Sequence, residues 1–208
     1  MHVYDPAWRA AIDRWSAMGE RAVLARSTIL LPGNDVYIDQ ATDLVAAPPP
    51  PAADERPALG AVLRSAILGL AIHDPPLLRA LVPAPGRVTT ARYVRPFGYA
   101  IVVDHGDAVT RLDALMPGAW PPSWTVDAVG AGAGLRVRFP PSYVLAGSGR
   151  AEVDGHVSES PINGYQAQWS HLHDIVCDGA APLVPTDVAI DDLRCALDLA
   201  GQIDEVLT

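Results

Sequence analysis

The chain has 208 residues, half of them hydrophobic and 19% charged, enough apolar side chain for one good core but too little length for two domains of roughly 150 residues each. Its formal net charge is −9 and all 15 basic residues are arginine. That balance argues against a nucleic-acid or anionic-membrane partner, and the lack of lysine rules out a Schiff base or Walker-type phosphate loop built from this chain alone.

Asp5 and Pro6 suit the cap and first position of a helix whose apolar residues Trp8, Ala11, Ile12 and Trp15 recur every three to four positions, ending near Gly19. Val23, Ala25 and Ser27 then alternate with Leu24 and Arg26 ahead of Ile29-Leu30-Leu31, a strand stopped by Pro32-Gly33. Residues 34–44 form a polar loop. Residues 46–57 contain four consecutive prolines, which remove backbone donors and favour polyproline geometry, so this stretch is a Pro-rich surface loop.

From Leu59 the positions Val62, Leu63, Ala66, Ile67 and Leu70 make one helical stripe, with His73 on its continuation. Asp74 before Pro75 and Pro76 suggests the cap of a short second helix through Leu81. Strands are expected at 87–94, 98–104, 107–115, 124–130, 134–139, 142–146 and 149–154, punctuated by Gly106-Asp107 and the Gly130–Gly134 stretch, chiefly as an antiparallel meander. Helices at about 163–178 and 186–204 close the chain. Thr186 and Asp187 are expected to cap the last one, with Ala189, Leu193, Ala196, Leu197, Ala200 and Ile203 on its buried face. The expected fold is therefore α+β: one domain over 1–208, two layers, with helices covering one face of a large, mostly antiparallel open sheet.

Three groups of residues resemble one family. Leu68-Gly69-Leu70-Ala71-Ile72-His73-Asp74 followed by Leu77-Leu78-Arg79 is similar to a His-Asp-x-x-Leu-Leu-Arg segment of the Gfo/Idh/MocA (glucose-fructose oxidoreductase/inositol dehydrogenase) oxidoreductases. Gly164-Tyr165-Gln166 through Asp174-Ile175, Pro182-Leu183-Val184 and Asp191-Asp192-Leu193-Arg194 resemble that family's closing helix pair. Tyr4-Asp5-Pro6, Gly33-Asn34 and Tyr37-Ile38-Asp39-Gln40 resemble the start of its second domain. The resemblance covers nearly the whole chain but only the C-terminal domain of a typical member, without the Rossmann domain and the Glu-Lys-Pro lysine.

The resemblance implies that His73 is a proton-transfer group or substrate-hydroxyl ligand, and that Asn34, Tyr37, Asp39 and Gln40 lie near the substrate. The aspartate that many members carry one helical turn before the histidine is replaced by Gly69. It also implies a small-molecule substrate such as a sugar or cyclitol, no cofactor bound by this chain alone, and NAD(P) held through a separate Rossmann-domain subunit. A homo-oligomer through the sheet face is the other expected partner, with part of the aromatic set Tyr93, Phe97, Tyr99, Trp120 and Trp124 at the interface. Two other readings stay open: a cofactor-free acid–base enzyme (dehydratase, isomerase or cyclase) using His73 as base, and a noncatalytic dimerising scaffold.

Other motifs carry less. Gly130-Ala131-Gly132-Ala133-Gly134 misses the last glycine of the dinucleotide pattern and precedes a strand, so it reads as a hairpin turn. Gly147-Ser148-Gly149 lacks the nucleophile-elbow frame. Of His171, His173 and Cys177, only the last two align on a helix face, too few for zinc, so no metal is expected. Cys177 and Cys195 are expected as buried free thiols. No apolar run reaches the roughly 20 residues that span a bilayer, and Met1–Pro6 lacks the form of a signal peptide; the expected location is cytoplasmic.

Overall fold

The computed structural model describes residues 1–32, 58–116, 122–140 and 147–207. The Pro-rich stretch 46–57, the expected strand 142–146 and residues Asn34, Tyr37, Asp39, Gln40 and Trp120 lie outside the described residues.

Helix α1 (Pro6–Ala17) starts where Asp5 accepts hydrogen bonds from the Ala7 and Trp8 amides, satisfying donors that the first turn leaves orphaned. Its buried face is Ala7, Trp8, Ala11 and Trp15. Strand β1 (Leu24–Leu30) follows. Helix α2 (Leu59–Gly69), a 3-10 turn at Ala71–His73 and helix α3 (Pro75–Leu81) lead into β2 (Arg87–Tyr93), β3 (Phe97–Asp104), β4 (Val109–Met116), β5 (Ser123–Val129), β6 (Gly134–Phe139), β7 (Arg150–Val153) and β8 (His156–Ser158). Helices α4 (Gly164–Asp178) and α5 (Thr186–Val206) close the chain.

The strands form one eight-stranded sheet in the order β2-β3-β4-β1-β5-β6-β7-β8. Only the β1–β4 pair is parallel. Helices α1, α2, α3 and α5 pack on one face: α1 over β6 and β7, α3 over β1, α2 over β3 and α5 over β2. The expected α+β architecture is the observed one.

The period of two along each strand decides what faces the helices. One covered row runs Ala91, Ile101, Leu112, Ser27, Val126, Val137, Ala151; the next runs Tyr93, Tyr99, Ala114, Ile29, Trp124, Phe139. Burying a side chain such as Ile29 or Val137 contributes about 2 kcal/mol, and Ser27 is the sole polar member of its row across those seven strands. The open face carries alternating charge instead: Arg26 and Arg111 both bond Asp113, at 2.9 and 2.8 Å, and Arg136 bonds Asp127 at 2.6 Å.

Four expectations are corrected here. Tyr93, Phe97, Tyr99 and Trp124 belong to the helix-covered side, with Tyr99 and Trp124 buried and Tyr93 and Phe97 packed against the core, because their strand parity matches Ile101 and Val126. Pro185 stands at the N-cap of α5 and neither Thr186 nor Asp187 caps it. Ala189, Leu193 and Leu197 of α5 are exposed while Ala196, Leu199, Ala200 and Ile203 are buried, since this helix leans on β2 and α2 through its C-terminal half. Cys177 is exposed and Cys195 half-buried; both are free.

Helix α4 opens with a capping box of Asn163 and Gln166 and ends at Gly179 in the left-handed conformation. It leaves Trp169, Leu172 and Val176 exposed on one stripe. Among the described residues no single helix is long and apolar enough to cross a membrane; the apolar pair α2 and α3 is bent by 63° and packs on the sheet.

Candidate functional site

The site is built where α2 breaks. After Gly69 the backbone leaves the helix at Leu70, turns once through Ala71–His73 and restarts as α3 at Pro75. Asp74 occupies the N-cap position of α3, yet its side chain caps nothing. The cause is local. Pro75 and Pro76 have no N–H to donate, and the next amide, Leu77, already bonds the Asp74 backbone carbonyl at 3.0 Å.

Deprived of local donors, the Asp74 carboxylate turns into the core. Its Oδ1 accepts from Ser27 Oγ at 2.8 Å and from Trp124 Nε1 at 3.2 Å. Both donors come from the central strands β1 and β5, and Ser27 sits at an inward position of β1. Desolvation of the wholly buried carboxyl raises its pKa to about 7, against the lesser lowering effect of the two donors.

Trp124 is the hub. The His73 ring lies edge-on to it with centroids 5.8 Å apart, and the His2 ring lies 4.4 Å away at 72°. His2 also packs on Phe139 at 4.4 Å. Burial, the Met1 ammonium and His73 together lower the His2 pKa to about 3, so His2 is neutral at physiological pH.

His73 as a whole is exposed, and no side-chain hydrogen bond holds its ring among the described residues. The desolvated side of the ring, and secondarily the Met1 ammonium, lower its pKa from 6.5. A neutral imidazole with a free nitrogen can accept a proton or a hydroxyl hydrogen bond near pH 7. At Gly69, where the resembling family places an aspartate, an added Cβ would meet nothing within 4 Å. Asn34, Tyr37, Asp39 and Gln40 lie outside the described residues, so His73 is the one expected site residue the structure places. Asp74, Ser27, Trp124, Tyr99 and His2 are additions to it.

The Gly130–Gly134 turn does not fit a dinucleotide. Gly130–Gly134 is the β5–β6 hairpin turn, closed by Gly130 N–H to Ala133 O at 2.9 Å, and the Gly132 amide donates to the Glu20 carboxylate at 3.2 Å. A carboxylate stands where a pyrophosphate would bind, and a strand follows where the phosphate-binding helix would begin.

Two other features are weaker candidates. A cleft of about 580 Å³ between α3, the 82–86 segment, β3, β4 and α5 includes Arg79, His105, Cys195 and Gln202, but its polar groups serve one another. Arg79 pairs with Asp192, His105 contacts Ala84 O and Thr110 Oγ1, and Gln202 accepts from Val88 N. Unlike the Asp74 region, it holds no buried unpartnered side-chain atom. On α4, His171 accepts from the Leu183 amide at 2.8 Å, and His173, Asp174 and Asp178 form a wholly exposed group, an ordinary solvated helix end.

No family model and no curated protein sequence matches the chain. Solved structures do. Myo-inositol 2-dehydrogenase from Lactobacillus plantarum superposes with a TM-score of 0.62 at 16% identity over 97% of this chain and 60% of that one. Scyllo-inositol dehydrogenase from Lactobacillus casei, solved with NAD(H) and scyllo-inositol, gives 0.61 at 15% over 97% and 60%. GenD2 of gentamicin A biosynthesis, solved with NAD, gives 0.62 at 14% over 97% and 59%. The chain thus spans about three fifths of the length of these enzymes. Its fold is that of the sheet-bearing C-terminal domain of Gfo/Idh/MocA-type oxidoreductases.

Proposed function

We propose that this chain is the substrate-side component of a Gfo/Idh/MocA-type oxidoreductase acting on a sugar, cyclitol or related small metabolite, with the NAD(P)-binding half supplied by another polypeptide. The observation that carries the reading is His73: on a fold shared with sugar and cyclitol dehydrogenases, its ring is exposed, free of hydrogen bonds among the described residues and braced on Trp124. In this role the neutral imidazole receives a substrate hydroxyl, and the aromatic wall excludes water from one side of it. NAD(P), when bound by the partner half, supplies the hydride chemistry. The exposed stripe Trp169, Leu172 and Val176 on α4 supports a partner surface on the helical layer. Self-association through the open sheet face, whose charges include the intrachain pair Arg26–Asp113, is the second expected contact, and its signature is an oligomer that weakens between 0.15 and 1 M salt.

The test uses the purified chain with NAD(P)H in a fluorescence titration, then co-purification with a Rossmann-domain protein encoded beside its gene. No binding alone, and turnover of a polyol on mixing that His73→Ala abolishes at unchanged melting temperature, is the expected result. Tight nucleotide binding by the isolated chain would overturn the reading. A cofactor-free acid–base enzyme is the second reading, favoured by one observation: a buried carboxyl with a pKa of about 7 adjoins the histidine in sequence. Turnover of a polyol without any nucleotide would select it.

A further inference from the structure

Three interior side-chain atoms have no hydrogen-bond partner among the described residues: Asp74 Oδ2, Tyr99 Oη and His2 Nε2. Buried polar atoms are nearly always satisfied, and three in one region call for an explanation. Tyr99 and Trp124 stand in the same cross-sheet row, separated by Ala114 and Ile29, and Asp74 hangs over that row from its bond to Trp124. The Asp74 charge acts on the Tyr99 phenol, raising its pKa further after desolvation has done so, which puts the two orphan oxygens in electrostatic reach of each other.

We propose that Asp74 is the positioning residue of the candidate site: one oxygen locks Ser27 and the Trp124 indole on which His73 leans, and the other lies in the interior without a partner among the described residues. Ionised, the carboxylate accepts from Ser27 and Trp124 on Oδ1; protonated, it carries the proton on the unbonded Oδ2 and meets the same two donors as a neutral acid. The two states hold Trp124 differently, because an indole N–H bonds a carboxylate more tightly than a neutral acid. The ionisable groups around the Asp74–Trp124 pair are His2 and His73, whose rings pack on the indole, the Met1 ammonium that acts on both, and Tyr99 of β3, on which Asp74 and Asp113 of β4 act. Among the described residues no cation pairs with Asp74, and Arg79 of α3 is engaged with Asp192.

The proposal deepens the reading of His73 as the site residue, but its test needs neither substrate nor nucleotide, so the failure of one is distinguishable from the failure of the other. The probe is the ¹⁵N-labelled full chain, with the Trp124 indole resonance assigned by its loss in Trp124→Phe and the His73 ring followed in parallel from pH 4 to 9. The expected result is an indole shift with a midpoint near 7 and a matching inflection in the His73 ring signals. Asp74→Asn should abolish both while leaving the ring's own titration. Ser27→Ala, which removes a donor to the ionised form, should raise the midpoint by roughly one pH unit and keeps the test decisive if Asp74→Asn does not fold. An indole that titrates near 4 or not at all, or a midpoint unmoved by Ser27→Ala, overturns the proposal.

Discussion

Replacing Asp74 by asparagine and, separately, His2 by glutamine should tilt the pH profile of stability in opposite directions. The Asp74 pKa rises from 3.8 to about 7 on folding. Across that interval the folded chain keeps a proton that the unfolded chain releases, so this contribution falls as pH rises, by about 4 kcal/mol in all at 1.36 kcal/mol per pH unit. The His2 pKa falls from 6.5 to about 3. Below 6.5 the unfolded chain binds a proton that the folded chain refuses, so this contribution rises with pH, by about 5 kcal/mol in all. Between pH 4 and 6.5 the two slopes nearly cancel. In their net effect on the wild-type profile the pair is therefore silent. Asp74→Asn should leave a stability that climbs with pH across this window, and His2→Gln one that declines from pH 4 to 7. Other titrating groups are common to all three proteins and drop out of the differences. Urea unfolding followed by tryptophan fluorescence at half-unit steps from pH 4 to 8, analysed with a shared m-value, measures the slopes. Profiles of the same shape for both variants and the wild type would refute the reasoning.

Asp5→Ala removes the cap of α1 and also the acceptor of the Gly149 amide at 2.8 Å; a lost cap plus a buried orphan N–H should lower unfolding stability by about 3 kcal/mol in urea titration. Gly98→Ala would drive a Cβ into the Ala114 carbonyl oxygen of the neighbouring strand, backbone that cannot step aside, and should cost about 3 kcal/mol by the same assay. Arg26→Ala breaks a pair whose arginine is 47% exposed; its cost should stay under about 1 kcal/mol in low salt and vanish in 1 M NaCl.

The elements were legible because each carries its own period. The helical stripes and the seven strand signals come from spacings within a dozen residues, and the described helices and strands sit within a few positions of them. The turn at Asp154-Gly155, with φ of 49° and 75°, carries a plain hairpin signal, but the expected last strand ran to 154 and β8 beyond the turn was not anticipated. Strand order was not legible: β1 enters the sheet between β4 and β5, a pairing fixed by contacts far apart in the chain. The facing of the aromatics could have been read from parity, since Tyr99 alternates in phase with Ile101 and Val103.

The two Asp-Pro signals are the sharper case. Asp5-Pro6 is followed by alanine and tryptophan, whose amides are free, and Asp5 caps. Asp74-Pro75 is followed by a second proline, so the same carboxylate has no donor within its turn and is thrown inward, where an inward-facing serine and an indole receive it. The residues of the candidate site were thus half visible: His73 by resemblance, Asp74 only if the missing proline donors are counted.

A purely structural bridge at this point would not need an acid. The Ser27 and Trp124 donors both end on one oxygen, and an asparagine amide offers that oxygen without the cost of holding an ionisable group in a site that desolvates it. What aspartate adds is the second oxygen and a proton that comes and goes near neutral pH. Neither is used by the bridge. Both belong to a carboxyl bonded to the indole that His73 leans on, and that placement supports reading it as part of the site rather than part of the scaffold.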